Sequence, residues 1–127
     1  NKLSNMISPL MAFLFPEMKR SDKEYKEITV NIIANLLGIG NAATPLGIKA
    51  MQTMQEKNDE KDKITDSMGM FIVLNTASLQ LIPTTVIAVR ASLGSGNTAQ
   101  IILPVWIATI VADFAGIIAC KILMKKF

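Results

Sequence analysis

The chain has no histidine, and that absence removes two kinds of chemistry together. Imidazole is the usual proton carrier near neutral pH and a common zinc ligand, so neither site can be built here in its ordinary form. Cysteine is almost as scarce. Cys120 stands alone and cannot form a disulfide within the chain. Aromatic residues are few, at 6%. The two charged clusters, MKRSDKEYKE (18–27) and EKNDEKDK (56–63), mix both signs without interleaved stacking rings. Such clusters are solvated loops or helix ends, and they give no footing for nucleic acid. There is no G-x-S-x-G nucleophile motif. The expectation is therefore a protein that is not an enzyme, with no catalytic residue, no metal and no cofactor.

Apolar sequence is what the chain has in quantity. Half of its residues are hydrophobic, and the net charge is a modest +3. No charge falls in residues 28–48, 67–89 or 91–112. A helix crossing the hydrocarbon core needs roughly 20 mostly apolar residues, and all three runs reach that length. This points to an integral protein of the lipid bilayer; the competing reading is a soluble helical bundle with buried helices. Residues 3–15 are apolar but short and end at Pro16, which suits an interfacial or re-entrant helix. The chain begins at Asn1 without a signal-peptide n-region, so further sequence before Asn1 is expected.

Two of the apolar runs are interrupted near their middles. The first reads NLLGIGNAATPLGIKA (35–50) and the second NTASLQLIPTT (75–85). A break inside a bilayer frees backbone N–H and C=O groups that lipid cannot satisfy, so it must be buried in protein or line a wet cavity. The expectation for 45–56 is a helical piece with Pro45 as its first residue and Thr44 as its N-cap. Its N-terminal dipole then faces the break and favours polar or anionic atoms. Gly38 and Gly40 permit close backbone approach and positive φ. Asn41 supplies an amide, and Asn31 and Asn35, four apart, share a helical face leading toward it. In the second break, Asn75, Thr76, Ser78, Gln80, Thr84 and Thr85 offer polar side chains before Pro83 restarts a helix. The candidate substrate-binding residues are Asn35, Gly38, Gly40, Asn41, Thr44, Asn75, Thr76, Ser78, Thr84 and Thr85. The bland alternative for each is interhelical hydrogen bonding that holds a membrane bundle together. Asn41 and Asn75 are expected near the bilayer midplane, lining one shared cavity.

A helix should start at Thr65 or Asp66, and another should run from Pro83 to Leu93. GSGNTA (94–99) is a turn. Residues 101–124 form the most regular span, closed by Lys121, Lys125 and Lys126, which favours a cytoplasmic C-terminus. Asp113 is the one carboxylate well inside an apolar run, a functional candidate by default unless it pairs with Arg90. The eight methionines are scattered and read as gap-fillers rather than a metal relay.

GIGNAATPLGIKAM (38–51) followed by NTASLQLIPTTVIAVRASLGS (75–95) closely resembles the spore maturation proteins of endospore-forming bacteria, grouped with the nucleoside recognition, or Gate, domain family. The resemblance covers the whole chain as one domain, 1–127. It implies an all-α, polytopic membrane protein with discontinuous, broken or re-entrant transmembrane helices. The implied place is the cell membrane of a sporulating bacterium, in the forespore or mother cell. The implied role is spore core dehydration and cortex maturation together with spore maturation protein B, as half of a permease-like unit for a small polar solute or ion. The alternative is a membrane scaffold that recruits or stabilises partners and transports nothing. The family's proteins are longer at the N-terminus, so this chain looks like their C-terminal two-thirds.

Overall fold

Six α-helices form from these runs in a computed structural model that describes residues 2–77 and 80–126: α1 (Lys2–Leu14), α2 (Lys23–Leu36), α3 (Gly40–Glu56), α4 (Asp66–Ala77), α5 (Thr84–Ser92) and α6 (Ile102–Met124). A 3₁₀ turn, Thr98–Ile101, leads into α6. Among the described residues there is no strand. The fold is all-helical, as expected.

α2 and α3 form an antiparallel hairpin. Lys57 meets Glu24 at the open end, and Asn31 donates to the carbonyl of Ala43 near the closed end. α2 buries Tyr25, Ile28, Asn31 and Ala34, three apart, so one stripe of the helix faces inward. The hairpin turns at Gly38. Gly38 has φ +69°, its N–H donates to Asn35 O, and the N–H of Ile39 donates to Ala34 O. These are the two bonds of a Schellman motif, which a residue with a Cβ closes only under strain. α5 ends the same way. Gly94 has φ +76°, Gly94 N–H donates to Ala91 O, and Ser95 N–H donates to Arg90 O.

Because α2 closes so tightly, α3 begins at once, at Gly40. Thr44 and Pro45 therefore lie inside α3, and neither starts it. Thr44 is not an N-cap: its hydroxyl donates backward to Gly40 O at 3.4 Å. The other expected starts are found. The Thr65 hydroxyl accepts the N–H of Met68 at 3.2 Å and caps α4. Pro83, fully buried, precedes α5.

α4 packs against α6, and the pairs Val73–Gly116 and Leu81–Trp106 show that the two stretches run in opposite directions. A Cβ at Gly116 would come within 2.8 Å of Val73 Cγ1, so the helices meet at that glycine. The core gathers Met11, Phe15, Ile28 and Met70, all fully buried, with Met54, Met68, Phe71 and Cys120. Methionines thus fill the junction of α1, α2, α3 and α4, consistent with their gap-filling use.

The segment Thr98–Met124 is long and apolar enough to cross a membrane. Along α6 only Cys120 is buried, while Leu103, Ile107, Val111, Phe114, Ile118 and Ile122 are exposed. The runs 28–48 and 67–89 do not form single helices of span length. The first folds back at Gly38, and the second is divided between α4 and α5.

Candidate functional site

The two breaks dock on each other. The N–H of Leu81 donates to Leu36 O at 2.9 Å, and the Thr84 hydroxyl donates to Gly38 O at 2.6 Å. Gly38 is buried there, and a Cβ on it would lie 2.1 Å from the carbonyl oxygen of Ile82. Trp106 of α6 closes the stack by donating its indole N–H to Leu81 O at 2.9 Å. Backbone groups freed by one break are thus satisfied by the other, which is how irregular backbone can persist among apolar helices.

One helical turn away lies a cluster of carboxamides. Asn31 is buried and donates to Ala43 O at 2.8 Å. Asn35 Nδ2 lies 3.1 Å from Asn75 Oδ1 and 3.4 Å from Asn31 Oδ1. Asn75 Nδ2 donates to Phe71 O at 2.9 Å in its own helix. Gly47 makes room for the cluster: a Cβ there would stand 3.0 Å from Asn31 Nδ2 and 3.8 Å from Asn75 Oδ1. Three helices, α2, α3 and α4, therefore meet around amides rather than around a fully apolar core.

Two cavities flank this cluster, and Asn35 and Asn75 line both. The first, about 600 Å³, lies among α1, α2, α4 and α6 and is mainly apolar, with Asn31, Asp113, Lys121 and Lys125 as its further polar groups. The second, about 860 Å³, lies between α3 and α4. It is lined by Gly40, Thr44, Gln52, Gln55, Thr76 and Gln80 and by no charged side chain. The Asn35–Asn75 hydrogen bond stands at the wall between them.

The expected site residues separate accordingly. Asn35, Gly40, Thr44, Asn75 and Thr76 meet around the second cavity. Gly38 and Thr84 form the joint between the breaks. Asn41 is exposed and lines neither cavity, so it does not share one with Asn75. Thr85 is exposed in the first turn of α5 and also lines neither. Ser78 lies outside the described residues. Asp113 lines the first cavity, and Arg90 does not pair with it; Arg90 donates instead to Ser95 Oγ and Asn97 O, each at 3.2 Å. Gly47, Gln52 and Gln55 were not singled out by sequence reasoning. Their only signal was helical spacing from Thr44 and Ile48, which places them on α3's inward or cleft-facing side.

Fold and site together describe a class: a protein that is all-helical among the described residues, with one helix there fit to cross a membrane and an amide-lined cleft where two helix breaks dock. The chain is similar to spore maturation protein A of Bacillus subtilis (strain 168), 41% identical over 115 residues, which cover 91% of this chain and 59% of that protein. The resemblance of 38–51 and 75–95 to spore maturation protein A is thus shown, while the Gate-domain grouping is not, and the chain spans about three-fifths of this relative's length. No family model matches the chain, and no solved structure matches it.

Proposed function

We propose that this chain is an integral membrane factor of sporulation, built on a Gate-type arrangement in which two re-entrant or broken helices cross and carry a permease-like path for a small polar solute or ion. The sporulation role rests on likeness to a protein named for spore maturation. The observation that supports the path is that both cavities are lined by the same two residues, Asn35 and Asn75. Their hydrogen bond is the closed partition; breaking it joins the cavities. An amide pair suits this use, because each partner can transfer its hydrogen bond to a passing polar group without leaving a buried charge. The same chain acts beside spore maturation protein B in the membrane of the forespore or mother cell and catalyses no reaction.

One observation favours the second reading, a scaffold. The exposed apolar side of α6 offers a long surface on which a partner helix can pack. Flux measurement separates the two. The chain and spore maturation protein B are reconstituted together in proteoliposomes and challenged with a panel of small ions and polar solutes. Saturable flux that Asn35→Leu and Asn75→Leu alter supports the path. Absence of flux across the panel, with normal sporulation in cells, supports the scaffold.

A further inference from the structure

The first cavity has a polar end and a basic end, and the two are far apart. Asp113 of α6 and Lys125, the residue that follows its last turn, both line it. Twelve residues at the α-helical rise separate them by about 18 Å. One leaflet of hydrocarbon is about 15 Å deep, half of a ~30 Å core. Between the ends the walls are hydrocarbon, including Leu10 and Leu14 of α1 and Ile117 and Ile118 of α6. At the basic end the Lys121 ammonium sits 3.6 Å from the centroid of the Phe13 ring and donates to Phe13 O at 3.1 Å, so it is held at the rim of the groove beside α1. Lys125, one turn further along, is exposed. With α6 across the bilayer, these lysines fall at headgroup level while Asp113 and the amides fall near the midplane.

From this we infer that the groove between α1 and α6 binds one anionic phospholipid, with an acyl chain along Leu10, Leu14, Ile117 and Ile118 and the phosphate at Lys121 and Lys125. Charge complementarity selects the headgroup: two ammonium groups at one mouth disfavour a headgroup whose own cation cancels the phosphate. The length of the apolar wall selects a chain that spans one leaflet. Lysines flanking a span also mark the cytoplasmic side, where the leaflet surface is negative. The bound lipid would wedge α1 against α6 and cover the first cavity from the side. The inference rests on α6 spanning the membrane, as proposed above.

The test uses the full chain in nanodiscs of phosphatidylglycerol mixed with phosphatidylcholine, followed by native mass spectrometry of lipids retained after release. Wild type should retain one phosphatidylglycerol, with a preference of about thirtyfold over phosphatidylcholine, the usual weight of two lysines near an anionic surface. Lys121→Gln with Lys125→Gln should bring the preference to parity, and Lys61→Gln, in the loop after α3, should leave it intact. Ile118→Trp should fill the groove and displace the lipid while keeping both charges, which separates lost binding from lost folding. No preference in wild type, or a preference unchanged in the double variant, overturns the inference. Equal protection of the lysines by inorganic phosphate in lipid-free detergent overturns it too, because the site would then take a free anion. Failure of the chain to enter nanodiscs at all is the separate outcome that removes the membrane-spanning reading itself.

Discussion

Gly38 and Gly94 share a backbone conformation and differ in their surroundings. Both close a helix with positive φ, but only Gly38 has backbone pressed against its Cα; nothing lies within 4 Å of a Cβ built on Gly94. Gly94→Ala should therefore lower stability by about 1 kcal/mol, the lower end of the left-handed penalty. Gly38→Ala adds overpacking against Ile82 O, typically another ~1–3 kcal/mol, and should part the two breaks. Thermal denaturation of the two variants in the same detergent checks the difference, and equal losses would mean that the breaks do not touch. Asn35→Leu removes the bond to Asn75 at a stability cost of about 0.6 kcal/mol, the average of measured intramembrane hydrogen bonds. Protein abundance should stay near wild type while spore heat resistance falls. If heat resistance merely tracks abundance, the amides are packing glue. Asparagines at this site were legible from their four-residue spacing and their place beside the breaks. The role of Gly47 was not, because a glycine reveals nothing of the side chain it faces across a hairpin.

Local sequence rules worked for elements whose ends are settled locally. The Thr65 cap, the start of α5 after Pro83 and the length of α6 follow from short-range signals. They failed at α3, where Thr44–Pro45 looks like a helix start. The Schellman closure of α2 at Gly38 reverses the chain earlier, and α3 is already under way from Gly40, five residues before it reaches the proline. The hairpin's open end is held by Lys57, whose ammonium lies 2.8 Å from both carboxylate oxygens of buried Glu24. That hydrogen bond, opposed by desolvation and aided by the charges of Glu24 and Asp22, raises the Lys57 pKa above its ordinary 10.5. A folded-state pKa above the unfolded one means that the ion pair's stabilisation is complete below the unfolded value and is lost as pH rises through the folded one. Melting curves from about pH 9 to pH 12 should show wild type losing its advantage over Lys57→Met at the alkaline end only. A constant difference across that range would contradict the ion pair. The α4–α6 contact is open to a double-mutant cycle. Gly116→Ala should destabilise by about 1–3 kcal/mol through Val73, and Val73→Ala should recover part of that loss. Additive losses would place Val73 elsewhere.

At the scale of the whole molecule, apolar runs of span length were visible in the sequence, but their course was not. The runs 28–48 and 67–89 each have the composition of a span, yet α2 folds back onto α3 and α4 gives way to α5. What decides this is a contact between Leu36–Gly38 and Leu81–Thr84, more than forty residues apart in sequence, with no local signature. The chain also meets its helices at amides and glycines, which makes a cleft where a soluble core would close. In the proposed path the two breaks cross in the membrane with Asn35 against Asn75. The most direct measurement is the yield of an intramolecular cross-link by a short thiol-reactive reagent in native membranes, using Asn35→Cys with Asn75→Cys in a Cys120→Ser background. Rapid, high-yield cross-linking of this pair is expected, and none when Asn41→Cys replaces Asn35→Cys, since Asn41 is exposed and lines neither cavity. Equal yields for the two pairs, or no cross-link for Asn35 with Asn75, would contradict the crossing.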